Sequence, residues 1–417
     1  PDFGTGGLLQ ALNTVLSKRT KAMRELVSRE MLKGDSASAK LESARAAAQK
    51  RIGAIRKGFP KVMVMGEGKP RQTKVLTRGA YNNPTDVVVS SNTPESLSPF
   101  PKSSPKNRLG LAAWLVNDQH PLTARVTVNR IWQQFFGTGF VKTTDNFGVQ
   151  SERPSHPALL DWLALEFIKS NWDVKLLHKR IVLSATYRQS SRVTPALHER
   201  DPENRLLARM TRQRLPSWMI RDQALFVSGL LVEKQGGPPV KPYQPGGVWA
   251  EVTFGKKRYS QDKGESLYRR SLYTFWRRIV GPTMFFDESK RQTCEVRRAL
   301  TNTPLHALVT LNDIAYVEAA RAMAQRVLKE GDADDEARVS HAFRLATSRE
   351  PKLSERVILL QRLNQLRATY AKDHKATQAL LAVGEFKRDE KLNATDHAAY
   401  SVLCNLILNL DEVITRE

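Results

Sequence analysis

The feature that most constrains this chain is the helical spacing of its apolar residues. In the first thirty residues a stripe recurs three and four positions apart, formed by Leu8, Leu9, Leu12, Val15 and Leu16. Similar stripes return in most segments from residue 108 onward. Residues at this spacing share one face only when the backbone is helical. The sequence therefore predicts a mainly α protein. The fold class that we expect is a multi-helix globular domain with a small β or extended element and an N-terminal helical hairpin.

Residues 1–60 are predicted to form the hairpin. One helix covers residues 7–31 and ends at Gly34, and a second covers residues 36–57 and ends at Gly58 and Pro60. The apolar faces of these helices need partners. We therefore interpret residues 1–60 as the tail of a preceding domain or as a linker, and since the chain begins with Pro1, we expect a longer protein.

Residues 61–105 have a different composition. Prolines and glycines are frequent there, and the only regular pattern is two short extended runs, at 62–65 and 87–89. We interpret this stretch as an extended connector rich in proline and glycine.

Residues 106–417 are predicted to form one helical domain. Its helices are expected at about 108–116, 121–137, 155–167, 173–185, 217–234, 303–329, 334–347, 353–372 and 395–415. Ser155, Asp173 and Thr303 are the expected N-caps. Residues 268–278 alternate enough to predict a strand.

Charge points to a polyanionic partner. The formal net charge is +24, and Lys and Arg are spread along the chain instead of being concentrated in one arm. Acidic polysaccharide, nucleic acid and acidic lipid are the polymers or surfaces that such a charge attracts. A nucleic-acid-binding arm is normally more concentrated, so we expect a generally basic surface. No segment approaches the roughly 18 consecutive apolar residues of a membrane span.

Cysteine usage limits the cofactors. Only Cys294 and Cys404 occur, without CxxC or CxxCH spacing. We therefore expect no structural zinc, iron–sulfur cluster or covalent haem in this chain. Two buried thiols are expected, although a disulfide between them is possible from the sequence.

The first candidate site lies between residues 125 and 161. His156 with Asp145 and Asp161 would form a histidine–carboxylate group able to act as a base or to coordinate a metal ion. Arg125 and Asn129, four residues apart on one helix face, would bind an anionic substrate group. The structural alternatives are a histidine that fastens the start of a helix and an Arg–Asp pair that holds a helix to a loop.

A second set of candidates follows residue 267. Tyr273 and Trp276 belong to a run of aromatic residues and arginines that suits stacking on sugars or single-stranded nucleic acid. The alternative is a buried strand flanked by its arginines. Arg297 and His306 are candidates for substrate binding, near a helix start that favours anions. Cys294 beside Arg297 is a possible nucleophile, but a structural cysteine is the better interpretation.

Several ordered blocks together resemble a known family, the C-terminal planctomycete-specific domain of unknown function. The blocks are Arg108–Val116, Asn117–Trp132, Phe136–Val141, Asp145–Gly148, Pro154–Trp162, Ser184–Ser190, Ile220–Ala224, Leu267–Tyr273, Cys294–Arg298, Thr301–Ala307 and Asn409–Glu417. The likeness covers about residues 61–417. Two positions depart from the family pattern: His306, where Gln is more usual, and the run at 287–290, where Asp-Ala-Pro is more usual.

The resemblance implies a setting more than a chemistry. Members occur in multidomain proteins that carry a cytochrome-c-like domain, so c-type haem is implied only on a separate N-terminal domain, and a periplasmic or extracellular location follows. The implied partners are the preceding domains of the same full-length protein. The leading hypothesis is a module that binds or processes an anionic polysaccharide. A scaffold domain is the alternative, and a nucleic-acid-binding protein is a weaker one. No complete catalytic motif assigns a reaction.

The site hypothesis depends on one spatial expectation. The segments near 108–162 and 268–307 should meet and bury their apolar sides in a single helical body, leaving their Arg, Asp and His residues around a shared hollow.

Overall fold

The computed structural model describes residues 5–59, 61–69, 71–277, 280–288, 294–296, 300–331 and 334–416. The chain divides into two compact units, residues 1–90 and 91–417. Helices dominate both, so the prediction of a mainly α protein is confirmed. The division between the units falls within the predicted connector.

The first unit begins with α1 (Thr5–Asn13), α2 (Lys21–Met31) and α3 (Ser36–Gly58). The prediction of one helix over residues 7–31 is wrong, because the chain turns between α1 and α2. The Arg19 side chain donates to the carbonyls of Thr14 and Leu12, and the Thr20 hydroxyl caps α2. The hairpin is therefore formed by α1 and α2, which pack together, whereas α3 has no buried residue.

A two-stranded antiparallel sheet completes the first unit. Strand β1 (Thr73–Leu76) pairs with β2 (Pro84–Val89) in the register Thr73 to Val89, with an irregularity before Leu76. The extended run predicted at 87–89 lies in β2. The run predicted at 62–65 belongs to neither strand and is exposed.

The second unit contains the remaining helices and a second, very short sheet. The helices are α4 (Arg108–Leu115), α5 (Thr123–Phe136), α6 (Pro157–Lys169), α7 (Val174–Leu183), α8 (Pro195–Arg200), α9 (Ser217–Val227), α10 (Val248–Val252), α11 (Pro304–Asn312), α12 (Ile314–Glu330), α13 (Asp335–Thr347), α14 (Leu353–Lys372), α15 (His374–Leu381), α16 (Ala394–Leu408) and α17 (Asp411–Ile414). Strand β3 (Gln213–Arg214) pairs antiparallel with β4 (Thr415–Arg416).

Three apolar clusters lie in the described part of this unit, and the two larger ones are called the two cores. The α5 core is built by α5, α6 and α7 around Val128, Trp132 and Leu160. The α12 core is built by α9, α12, α13, α14 and α16 around Met323 and Leu403, both fully buried. The chain passes from the α5 core to the α12 core through β3. Near the end of the chain, β4 pairs with β3.

An irregular segment, residues 228–277, has little regular structure and packs on α9 and α12 through the third cluster, which contains Tyr243, Leu267 and Ala322. The prediction of a strand at 268–278 is wrong for the described residues, because the backbone forms short 3-10 turns at Gly264–Tyr268 and Ser271–Tyr273. Carbonyls in and beside these turns accept hydrogen bonds from an arginine side chain instead of from the N–H groups of a neighbouring strand. Arg221 on α9, almost fully buried, donates to the carbonyls of Leu267 and Arg269 at 2.8 and 3.0 Å.

Arg269 extends this arrangement outward. Its guanidinium donates to the carbonyls of Lys234, Gly236 and Pro238 and stacks on the Tyr273 ring at 3.8 Å. A single arginine thus satisfies three carbonyls of a loop that has no helix or sheet of its own.

The two cysteines are free thiols in different surroundings. Cys404 is buried in the α12 core, as expected, and burial raises the pKa of its thiol. The expectation of a buried thiol is wrong for Cys294, which is exposed.

Removing the Arg221 side chain should destabilise the second unit strongly. Arg221→Met leaves buried carbonyls without donors, and we expect the free energy of unfolding to fall by about 3–5 kcal/mol. The measurement is urea unfolding of the full chain followed by circular dichroism. Arg270→Met is the matched control, because the Arg270 side chain is half exposed and reaches Asp222 only at 3.9 Å. It should cost less than about 1 kcal/mol, and equal losses would refute the assignment.

Candidate functional site

His156, Asp145 and Asp161 do not form the histidine–carboxylate group that the sequence suggested. Asp161 on α6 pairs with Arg125 on α5, with Arg125 Nε 2.6 Å from Asp161 Oδ1. His156 stands at the N-cap of α6, with Nδ1 3.0 Å from the Ser155 hydroxyl. Asp145 is exposed. Among the described residues no hydrogen bond or ion pair joins His156 to either aspartate, and the Arg–Asp pair that holds two elements together is the arrangement found.

Asn129 is part of the interior and not of a binding surface. It is completely buried, its amide nitrogen donates to the Val141 carbonyl at 3.0 Å, and its amide oxygen accepts from the Val141 N–H at 2.9 Å. Gly139 lies so close that a Cβ there would be 2.5 Å from the amide nitrogen. Both ends of the amide are used to fix the loop after α5, so a substrate has no access to them.

The aromatic candidates are covered by their own neighbours. The Tyr273 hydroxyl accepts from the Gly236 N–H at 2.8 Å while Arg269 lies over its ring. Trp276 stacks on Phe285 with ring centroids 5.9 Å apart. Both side chains are half-buried. They hold the irregular segment together and do not form an open stacking platform.

His306, in the first turn of α11, is buried and lies in an aromatic stack. Its ring stacks on Phe286 at 4.1 Å, and its Nε2 is 3.8 Å from Asp287 Oδ1. Asp287 accepts from both the N–H and the hydroxyl of Thr301. Arg297, the remaining candidate, lies outside the described residues.

Arg214, which sequence reasoning missed, connects this stack to an open cleft. Its guanidinium lies 5.1 Å from the centre of the Phe286 ring, and Nη1 donates to the side-chain oxygen of Asn302. The residue is 8% exposed, and its Nε has no hydrogen-bond partner in the described part of the chain. Burial lowers the pKa of Arg214, while the Asp287 carboxylate opposes that shift. An arginine remains charged nevertheless.

The cleft beside Arg214 lies between the two cores and has a volume of about 370 Å³. The end of α5 and His178 of α7 form one wall, and β3 with the start of α9 forms the other. Its lining residues are Gln133, Gln134, Phe135, Gly137, His178, Gln213, Arg214, Leu215, Pro216, Trp218, Met219, Val296, Leu300 and Arg416.

A second cleft of about 390 Å³ adjoins the first. It is lined by Arg212, Thr301, Asn302, Asp411 and Thr415, and it shares Gln213, Arg214 and Leu300 with the first cleft. Arg214 therefore stands in the wall common to both.

The β3–β4 pair holds the first cleft in shape. Gln213 and Arg416 face each other in the register of the two strands, and both side chains donate to the carbonyls of Gln134 and Phe135 at the end of α5. The last carbonyls of a helix have no partners within it, and a cation is favoured at that end. Burial lowers the pKa of Arg416.

A cleft bordered by both segments is therefore present, but the Arg, Asp and His residues expected around it are not among its described lining. The segments near 108–162 and 268–307 both border the cleft, through the end of α5 and through Val296 and Leu300. Arg125, Asp145, His156 and Asp161 are not among the described lining residues. A sequence signal for this cleft existed, because Arg212 and Arg214 alternate in a short polar run just before Pro216 and α9.

Comparison with known proteins places this arrangement in a family. A family model described as PSD1, protein of unknown function (DUF1553), matches residues 107–363. The chain belongs to the PSD1 family. No curated protein and no solved structure matches the chain. The PSD1 match begins at the N-cap of α4 and includes α5, β3, α9 and Arg214, so most of the cleft lies within it, and Arg416 lies beyond it.

Two further properties of the described residues concern metal binding and membrane crossing in the PSD1 chain. No three or more His, Cys, Asp or Glu side chains are grouped so that they could hold a metal ion. Of the helices described, none combines the length and apolar character that a membrane crossing requires.

Substitution of the buried Asn129 should lower the free energy of unfolding, whereas substitution of the exposed Asp145 should leave it nearly unchanged. Asn129→Leu leaves the N–H and the carbonyl of Val141 unpaired, and we expect a loss of about 1–3 kcal/mol of unfolding free energy for each group. Asp145→Asn, at an exposed carboxylate, should change it by less than about 0.5 kcal/mol. Thermal and urea unfolding of both variants gives the comparison. A large loss for Asp145→Asn would show that the loop has a role that its exposure does not suggest.

Proposed function

We propose that this PSD1 chain binds an acidic polysaccharide in the cleft between its two cores. The observation that carries the proposal is the place of Arg214, a largely buried cation in the wall shared by two clefts. A carboxylate or sulfate group in either cleft would supply the opposite charge and further acceptors for this guanidinium. The Arg214 fork suits planar oxyanions because it can donate two parallel hydrogen bonds.

The other cleft residues suit a sugar. Trp218 and Phe135 offer aromatic surface to a pyranose ring, and the amides of Gln133 and Gln134 can bond to hydroxyl groups. Both clefts lie within the range of about 300–1,000 Å³ that is usual for ligand pockets. Two adjoining clefts with one cation between them fit consecutive units of a polymer better than a single small molecule.

Charge supports a polymeric ligand. A net charge of +24 raises the local concentration of a polyanion at the surface. The specific contact is assigned to Arg214, and the remaining charge is assigned to attraction. We assign binding and no reaction to the cleft.

The cellular setting is proposed from the family resemblance alone. We propose that the chain acts outside the cytoplasm, as a module of a larger protein whose separate N-terminal domain carries c-type haem. This chain itself has no CxxCH motif.

The test is binding of the full chain to polygalacturonate and dextran sulfate, with neutral dextran as the control polymer, by titration calorimetry at low salt. Arg214→Gln should weaken binding at least about tenfold, equivalent to about 1.4 kcal/mol. Arg200→Gln removes the same charge from an exposed position outside the cleft and should have little effect. Trp218→Ala is a second cleft variant that leaves the arginine in place, and it should also weaken binding.

Three results would contradict the proposal. They are no binding of either acidic polymer at low salt, equal effects of Arg214→Gln and Arg200→Gln, and tighter binding of a DNA duplex with the same dependence on Arg214. The first would favour the scaffold role, and the third the nucleic-acid-binding role.

A further inference from the structure

The helix α3 has an apolar stripe that nothing in the described part of the first unit buries. Its larger apolar side chains are exposed, at 72% for Leu41, 50% for Ile52 and 53% for Ile55, and Phe59 at its C-cap is 63% exposed. Isolated exposed apolar residues are ordinary, but a contiguous set marks an interaction surface.

The larger apolar residues of α3 lie on one side of the helix, with Ala48 between Leu41 and the group at its C-terminal end. At 3.6 residues per turn, successive residues are separated by about 100°. Leu41, Ala48, Ile52, Ile55 and Phe59 then lie within an arc of about 60°, on one side of a helix 23 residues long. A stripe this narrow suits shallow contact along the length of the helix.

Basic residues flank the stripe on both sides. Arg45 and Arg56 lie on one side, and Lys40 and Arg51 on the other. The helix carries six Lys and Arg residues against one glutamate. Pairing with the α3 of a second copy would bring these like charges together, so a partner of opposite charge is favoured. Long basic side chains can lie along an apolar surface and keep their charges at its polar boundary.

We propose that α3 binds the surface of a bilayer that contains anionic lipid. The helix would lie in the plane of the surface, with the stripe turned toward the acyl chains and its arginines at the headgroups. The residues that follow strengthen this choice over an acidic protein helix. Val62, Met63, Val64 and Met65 are 77–102% exposed in an extended segment directly after α3, which prolongs the apolar surface beyond the helix.

The experiment is co-sedimentation of the full chain with vesicles at low salt. Vesicles of phosphatidylcholine containing phosphatidylglycerol should bind the chain, and vesicles of phosphatidylcholine alone should bind it at least about tenfold less. The double variant Ile52→Ser with Ile55→Ser should lose most of the binding. Its matched control is Ala46→Ser with Ala47→Ser, which changes the opposite face of α3 and should bind normally.

Charge is tested separately. The triple variant Arg45→Gln, Arg51→Gln and Arg56→Gln should bind at least about tenfold more weakly, and raised salt should weaken the unchanged chain. Because none of these side chains is buried, circular dichroism should show unchanged helix content in every variant. Arg214→Gln should bind vesicles normally, so failure of the polysaccharide proposal and failure of this one can be told apart.

Two outcomes would overturn the proposal. Equal binding by the isoleucine and alanine variants would show that the stripe does not enter the bilayer. Equal competition by soluble polyglutamate and by anionic vesicles would show that α3 recognises acidic polymer and not a lipid surface.

Discussion

Hydrogen bonds from buried arginines to backbone carbonyls are the interaction on which the second unit depends. Its irregular segments carry carbonyls that no helix or sheet can satisfy, and an unpaired buried carbonyl is costly. Arg221 and Arg269 meet this need between residues 234 and 269, and Arg321 does so for the loop at Val383 and Phe386. Arg205 donates to the carbonyls of Gly139 and Phe140 at 2.9 Å. Part of the chain's large basic surplus is thus structural and lies inside the protein.

The same interaction shapes the cleft. Arg416 uses the carbonyls at the end of α5 to hold one core against the strand pair that connects it to the other. Arg214, one residue beyond Gln213, has no carbonyl among its hydrogen-bond partners in the described residues and donates instead to the Asn302 side chain in the wall of the second cleft. The proposed ligand takes, at Arg214, the place that a backbone carbonyl takes at the other buried arginines. The proposed binding therefore uses the same kind of arginine hydrogen bond that stabilises the fold.

Local signals predicted most of the helices, but they did not indicate the cleft beside Arg214. The helix predicted at 353–372 is confirmed as α14, and Asp173 caps α7 as expected. The helix predicted at 303–329 is interrupted at Asp313, whose carboxylate caps α12, and α15 was missed altogether. The spacing of apolar residues does not reveal a polar residue such as Asp313, which is the C-cap of α11 and the N-cap of α12. The cleft beside Arg214 was not predicted for a similar reason, since the hydrogen-bond partners of Arg214 and Arg221 lie 46 to 88 residues away and no sequence spacing encodes them.

Native-state amide hydrogen exchange, read by mass spectrometry on the unchanged chain, tests the arginine-anchoring account most directly. Although it lacks regular structure, the irregular segment should exchange slowly in peptides containing Val232, Val240 and Phe275, whose N–H groups donate to carbonyls of the same segment. The account predicts protection there comparable to that of α12 and α16. Exchange as fast as that of the exposed residues 61–69 would contradict it, because the segment would then be loosely attached to the helical core.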